Sequence, residues 1–233
     1  MKLAFIAVFT CLLFCACQQT GDYRKFSSDP LLYSKTVKKL NDVVLENNFP
    51  PMIASRNYAY ANIAAYECIA AGDSGYQSLA GQIKHMPKMP APVAGKEIDF
   101  SLAALLSFTK VGNAVTFPEG SMMNYYEALT KAADSAGIPS DVLKNTIAFS
   151  DSITAAIMAW SKKDNYAQTR TASRYTVVDS PGRWVPTPPM YASGIEPHWM
   201  EIRTFVLDSA SECKPGRPPV YNITDKKSEY YQR

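Results

Sequence analysis

The chain has 233 residues, of which 47% are hydrophobic and 19% are charged, and its formal net charge is +3. This composition is ordinary for a globular protein, and the length allows one large domain or two small ones. The basic residues are scattered and follow no RNP, zinc-finger or helix-turn-helix pattern, so we expect no nucleic-acid partner.

The amino terminus has the layout of a secretory signal. Lys2 supplies one positive charge, and an apolar run that is too short to span a bilayer follows it as far as Ala16. Cys17 comes next and polar residues follow, which resembles a bacterial lipoprotein leader. We therefore predict a signal peptide over residues 1–17, lipidation of Cys17, a polar tether over residues 18–28 and a lipid-anchored location in the bacterial cell envelope. Plain secretion after ordinary cleavage is the alternative.

Two helices are predicted in the first third of the chain. Asp29 suits an N-cap, and Pro30 suits the first position of the helix that follows. The pair Pro50–Pro51 then breaks the chain before a second helix, which we predict from about Met52 to Ala71. Gly72 is expected to end it. This helix is rich in alanine, which permits close helix packing, so we expect it to be central.

Three further helices are predicted downstream. Asp99 or Ser101 can cap a third helix that ends near Gly112. The fourth is predicted to open at residues 117–119 and the fifth at residues 139–141. The fifth helix carries apolar residues at three- and four-residue steps, namely Val142, Phe149, Ile153, Ile157 and Trp160. These patterns predict an all-α fold, a bundle of about five helices followed by an extended Pro/Trp-rich segment.

That segment, residues 175–207, is here called the belt. Its three central prolines fix φ and remove backbone donors, so it must be extended over something already folded. Large aromatic side chains are its predicted anchors, namely Trp184, Tyr191, Trp199 and Phe205. A disordered Pro-rich linker is poor in aromatics, so the composition predicts an ordered segment.

The belt carries a resemblance to a known family. Its Trp-Val-Pro-Thr-Pro-Pro run and the Glu-Pro-His-Trp block beyond it resemble the vanadium-dependent haloperoxidase branch of the type 2 phosphatidic acid phosphatase (PAP2) superfamily. The second predicted helix resembles that family's first core helix. The residues that carry the resemblance, which we expect to be structural, are Arg56, Glu67, Trp184, Pro186, Pro188, Pro189, Glu196, Pro197, His198, Trp199 and Arg203. The resemblance covers roughly residues 30–230 and only the family's N-terminal half.

The resemblance implies a vanadate cofactor in the intact enzyme. The family holds vanadate or phosphate with a Lys-x6-Arg-Pro motif, a Ser-Gly-His element and a Ser-Arg-x5-His motif, whose cationic groups neutralise the oxyanion. None of the three occurs in this sequence, since Ala210 stands where a Lys would precede Arg217–Pro218 and Ser193–Gly194 continues into Ile195. We therefore assign no catalytic, cofactor-binding or metal residue to this chain and expect it to be inactive by itself.

The resemblance also implies a missing partner. Residues 225–231 resemble the opening of another helix, so we expect residues 29–233 to form an N-terminal helical domain truncated before a catalytic PAP2-like half. The intact relative would oxidise halide with peroxide or hydrolyse a phosphate ester. The alternative is a stand-alone helical surface lipoprotein that acts as a binding or scaffold module. Such a module should cover its own apolar faces, whereas a half-domain should expose a large apolar patch.

Several single residues leave two interpretations open. His198 is either a general base or lid over an anion pocket or, as we favour, a histidine bonded to backbone. A weaker interpretation makes it the base of a hydrolase and requires a carboxylate within reach of its ring. Arg56 and Glu67 lie close to three helical turns apart on one stripe, where they either line a pocket or serve as structural ties. Cys68 and Cys213 either pair or remain free.

Overall fold

A computed structural model describes residues 22–233, and this part of the chain contains no β-strand. It forms eight α-helices and one 3₁₀ turn in the order α1 Tyr23–Ser27, α2 Pro30–Glu46, α3 Pro51–Gly72, α4 Phe100–Val115, α5 Met123–Ser135, α6 Ser140–Ser161, α7 Tyr166–Thr169, η1 Trp199–Glu201 and α8 Glu229–Gln232. The prediction of an all-α fold is confirmed. The predicted leader, Cys17 and the first residues of the tether lie outside the described residues.

The described chain divides into two compact units. The first contains residues 22–80 and Pro87–Met158, and the second contains Gly81–Met86 and Ala159–Arg233. In the first unit, α3 and α4 form the most extensive helix pair among the described elements. The alanines of α3 allow this close approach, and α4 is apolar on nearly all sides, so it is buried along most of its length. An apolar cluster joins α4, α5 and α6, and its buried members are Leu102, Leu105, Leu106, Leu129, Ala133, Ile138 and Val142.

The predicted N-caps of α2 and α4 are present. The carboxylate of Asp29 accepts a hydrogen bond from the Leu31 N–H at 2.9 Å, and that of Asp99 accepts one from the Leu102 N–H, also at 2.9 Å. Asp99 also accepts a bond from the hydroxyl of Ser27, at 2.6 Å. Residues 23–27, predicted as part of a polar tether, therefore form helix α1 and are fastened to the start of α4.

The third helix does not end near Gly112 as predicted, because α4 continues to Val115. A Cβ at position 112 would lie 2.9 Å from the Met122 sulfur and 3.2 Å from a methyl carbon of Leu40. The glycine therefore serves close packing against two buried side chains and does not act as a helix stop.

The predicted start of the fourth helix at residues 117–119 is also wrong, since α5 begins at Met123. Gly120 has φ +85°, a left-handed backbone that an α-helix cannot contain. Met122, which follows, is fully buried, and its N–H donates to the side-chain carbonyl of Asn113 at 3.1 Å. The turn before α5 is thus fixed by a buried side chain that the helical pattern alone does not reveal.

The second unit contains little regular structure apart from α7, η1 and α8. The belt is irregular, as its prolines predict, but two of its predicted anchors are not buried, since Trp184 is 49% exposed and Tyr191 is 63% exposed. Phe205 does act as an anchor, because its ring meets that of Trp160 edge-on at 5.7 Å. The Lys84 N–H donates to the carbonyl of Phe205 at 2.8 Å, which fastens residues 81–86 to the end of the belt.

Within residues 22–233 no helix combines the length and the apolar character that crossing a bilayer requires.

Candidate functional site

The two charged residues that the sequence places on one stripe of α3 are both buried there. Glu67 is 2% exposed, and its two oxygens accept hydrogen bonds from the Ser78 hydroxyl and the Leu79 N–H, each at 2.7 Å. The guanidinium of Arg56 lies 4.8 Å from the centre of the Tyr60 ring. The Glu67 carboxylate therefore fixes the loop that follows α3, which favours the structural interpretation of this residue.

The neighbouring Cys68 is a free and buried thiol, and Cys213 is free and exposed. Desolvation by burial raises the pKa of Cys68 to about 12. A thiol in this state does not ionise at neutral pH, so Cys68 has no character of a nucleophile or metal ligand.

The second unit contains a cavity of about 390 Å³, here called the belt cavity. One wall is the segment that begins at Thr169 and ends at Arg174, and the other begins at Ser193 and ends at His198. Both walls bring charged side chains to the cavity, namely Arg170, Arg174, Glu196 and His198. Three residues of the family resemblance, Glu196, Pro197 and His198, thus lie at one site.

A bidentate ion pair joins the two walls. The guanidinium of Arg170 donates one hydrogen bond to Glu196 Oε1 at 2.6 Å and a second to Glu196 Oε2. The Glu196 side chain is only 7% exposed, and the same guanidinium stacks over the Tyr166 ring at 4.7 Å. The bidentate pair and the ring contact hold the guanidinium in one orientation.

His198 also joins the two walls. Its Nδ1 lies 2.7 Å from Glu201 Oε1, and its Nε2 lies 2.8 Å from the carbonyl oxygen of Ser173. The hydrogen bond to Glu201, and then the bond to the Ser173 carbonyl, raise the pKa of His198 above its ordinary value. The carboxylate that the hydrolase interpretation required is present. However, both ring nitrogens are already engaged, so the ring is not placed to accept a proton from a substrate.

The belt cavity contains two arginines and a histidine, which are residue types that an oxyanion cage uses. An oxyanion cage needs an excess of positive charge. Here Glu196 neutralises Arg170 and Glu201 faces His198, which leaves Arg174 as the one lining cation without a carboxylate partner among the described residues. The residues present therefore do not fit vanadate. Residues 22–233 also hold no group of three His, Cys, Asp or Glu side chains that could bind a metal ion.

The remaining belt residues of the resemblance lie elsewhere in the second unit. Trp184, Pro188 and Pro189 line a second concavity of about 490 Å³, and Pro186 and Trp199 line neither cavity. Arg203 donates through Nη1 to the Trp160 carbonyl at 3.2 Å and stacks over the Trp160 ring at 4.6 Å.

Sequence reasoning missed Arg170 and Glu201. Arg170 lies 26 residues from Glu196, and irregular backbone separates the two, so no periodic pattern could connect them. Glu201 lies three residues beyond His198, and only the helical turn η1 brings its carboxylate back to the ring.

Comparison with known proteins identifies the fold. No protein-family model matches the chain, and no curated protein does. The crystal structure of a bacterial vanadium-dependent iodoperoxidase matches it with a TM-score of 0.82 and 38% sequence identity. The match covers 87% of this chain and 48% of the iodoperoxidase chain, so this chain spans about half the length of that relative. The chain therefore has a vanadium haloperoxidase-like all-α fold.

Proposed function

We propose that this chain is the N-terminal part of a vanadium-dependent haloperoxidase of the PAP2 superfamily. The observation that supports this most is the 38% identity over 87% of the chain to the iodoperoxidase, together with the TM-score of 0.82. The belt residues that carry the family resemblance lie within this chain. In the intact enzyme, peroxide would oxidise a halide at a bound vanadate.

In this proposal the oxyanion chemistry belongs to a catalytic half outside the 233 residues. The three cation- and histidine-bearing motifs are not in the sequence, and the charges of the belt cavity are largely neutralised by carboxylates. The iodoperoxidase chain has a further half that the match does not cover. The contribution of this chain is then a helical framework and a surface on which the catalytic half packs.

An exposed apolar surface on the belt suits that contribution. Trp184, Met190 and Ile195 surround the second concavity, and Met190 is 84% exposed. The ring of Tyr175 meets that of Trp184 edge-on at 5.5 Å and extends the same surface. We call these four residues the belt patch. A free-standing module would be expected to cover such a patch, so the patch argues for a packing partner and against the stand-alone scaffold.

The leader supports a location for the enzyme. We propose that the protein is exported and held at a membrane face of the cell envelope by a lipid on Cys17, because the residues before this cysteine resemble a lipoprotein leader. Mass spectrometry of the N-terminal peptide from membrane fractions tests this directly. A mature N-terminus at a position other than Cys17, without an acyl group, would contradict it.

The DNA downstream of codon 233 and the activity of its product test the main proposal together. We expect an open frame that encodes Lys-x6-Arg-Pro and Ser-Gly-His, and a longer product that binds vanadate by ⁵¹V NMR and forms triiodide from iodide and peroxide. The 233-residue chain should do neither. The proposal fails if the 233-residue chain oxidises iodide when vanadate is added, or if the longer product binds no vanadate.

A further inference from the structure

We propose that His198 is a proton-dependent latch that holds the wall of the belt cavity carrying Ser173 against the wall that begins at Ser193 and ends at His198. This role is separate from the proposed haloperoxidase function, because every group in the latch belongs to this chain and lies within its second unit.

The two contacts of the ring fix its protonation state. A carboxylate and a backbone carbonyl are both acceptors without a hydrogen to give. Glu201 Oε1 at 2.7 Å from Nδ1 and the Ser173 oxygen at 2.8 Å from Nε2 can therefore both be bonded only when each nitrogen carries a hydrogen. The ring in this arrangement is an imidazolium.

Loss of the proton removes one of the two bonds, and the geometry indicates which one. A hydrogen bond to an ionised carboxylate is about twice as strong as one to a neutral acceptor, so the remaining hydrogen stays on Nδ1, facing Glu201. Nε2 then presents a lone pair to the lone pairs of the Ser173 carbonyl. The contact that crosses from one wall to the other is the one that is lost.

The charges around the ring do not supply a substitute for this contact. On its own segment the ring has Glu201 at Nδ1, and Glu196 is occupied by Arg170. On the opposite segment the charged groups are Arg170 and Arg174. Arg170 and Glu196 form a second contact between the two walls, and it does not involve the His198 ring. His198 thus adds a proton-dependent contact beside this ion pair.

The direction of the switch follows from the same contacts. Both acceptors favour the charged ring and raise the pKa of His198, so the latch is closed at low pH and opens as the pH rises through that pKa. The His198 side chain is 27% exposed, so water can reach the ring when the contact opens.

NMR of the imidazole rings tests the protonation directly, because the chain contains only two histidines. In the full chain we expect the His198 signals to titrate at a midpoint above the ordinary histidine value of about 6.5, with hydrogens on both nitrogens below that midpoint. His198→Gln assigns the signals, and His85 serves as an internal reference in the same sample. Glu201→Gln should lower the His198 midpoint, whereas Glu119→Gln at an exposed site should not.

Limited trypsin cleavage tests the opening. Cleavage after Arg174, measured relative to cleavage after Lys227 in the same digest, should rise several-fold as the pH passes the His198 midpoint. In His198→Ala, which has no side-chain donor for the Ser173 carbonyl, this ratio should be high and independent of pH, and His85→Ala should behave as the wild type does. A wild-type ratio that does not change with pH, or a His198 midpoint that Glu201→Gln leaves in place, would overturn the latch.

Discussion

The carboxylate of Glu67 is bonded by the hydroxyl of Ser78, eleven residues further along the chain, at 2.7 Å. The second oxygen of the same carboxylate accepts a hydrogen bond from the Leu79 N–H, so one buried side chain on α3 holds the following loop at residues 78–79. A buried carboxylate is stable only when donors surround it, and here the loop supplies them.

Removing the Glu67 carboxylate should destabilise the first unit. Glu67→Ala leaves the Ser78 hydroxyl and the Leu79 N–H without their acceptor, which costs about 1–3 kcal/mol in free energy of unfolding. Glu67→Gln keeps one acceptor oxygen and should lose less. Urea denaturation followed by circular dichroism measures both, with Glu127→Ala on the exposed face of α5 as a control. Equal stability of Glu67→Ala and the wild type would refute the structural role.

Gly112→Ala should also destabilise the protein. The added methyl group would meet the Met122 sulfur at 2.9 Å and the Leu40 methyl at 3.2 Å inside a packed core. Overpacking of this kind costs about 1–3 kcal/mol. Gly216→Ala is the matched control, because nothing lies within 4 Å of a Cβ at that position. Thermal melting of the two variants and the wild type measures whether a methyl group at position 112 lowers the melting temperature.

The two described cysteines should differ strongly in their reaction with alkylating reagents. Burial raises the pKa of Cys68 to about 12, so this thiol should remain unlabelled in the folded protein even at pH 9. The exposed Cys213 should label readily. Peptide mapping after iodoacetamide treatment, with and without urea, gives the measurement, and Cys213→Ser should abolish labelling of the folded 22–233 region. A disulfide between the two cysteines would instead protect both of them until a reductant is added.

The belt patch should account for much of the dye binding by the isolated chain. Met190→Ser combined with Ile195→Ser should lower the fluorescence of the apolar dye ANS, because both side chains are exposed and line one concavity. Leu31→Ser combined with Leu45→Ser is the control, since these leucines are 64% and 66% exposed but lie on α2. An equal loss of fluorescence in both double variants would mean that the belt patch binds no more dye than other exposed apolar side chains do.

The contribution of His198 to stability should depend on pH with a definite sign. Because the folded-state pKa is raised, the contribution is fully present below the unfolded value of about 6.5 and disappears as the pH rises through the folded-state pKa. The difference in free energy of unfolding between the wild type and His198→Gln should therefore shrink with increasing pH. Urea titrations at a series of pH values measure it, and a difference that grows towards alkaline pH would contradict the assignment.

Local rules were sufficient for much of the helical framework. Asp29 and Asp99 cap helices where their sequence context predicts it, and the apolar spacing of α6 matches its buried face. These rules gave wrong helix boundaries where a residue is required for tertiary packing. Gly112 has the appearance of a helix stop, but it is a point of close contact, and Phe117 precedes a turn that a buried methionine fixes.

Less of the candidate site could be predicted from the sequence. The family resemblance indicated Glu196 and His198, but it did not indicate the groups that form hydrogen bonds with them. Arg170 and Ser173 lie in a different segment, and only the folded backbone brings them within hydrogen-bond distance. Contacts between two irregular segments have no period, so no pattern in one sequence marks them.

The second unit is assembled from two separate stretches of chain, because Gly81–Met86 belongs with Ala159–Arg233. The Lys84 N–H donates a hydrogen bond to the Phe205 carbonyl and so joins the two stretches. A single crossover in the gene therefore cannot transplant this unit into another protein, since a recombinant that inherits only the later stretch keeps Asp208 but not the Lys84 side chain that pairs with it. Shuffling experiments with relatives should accordingly exchange both stretches together.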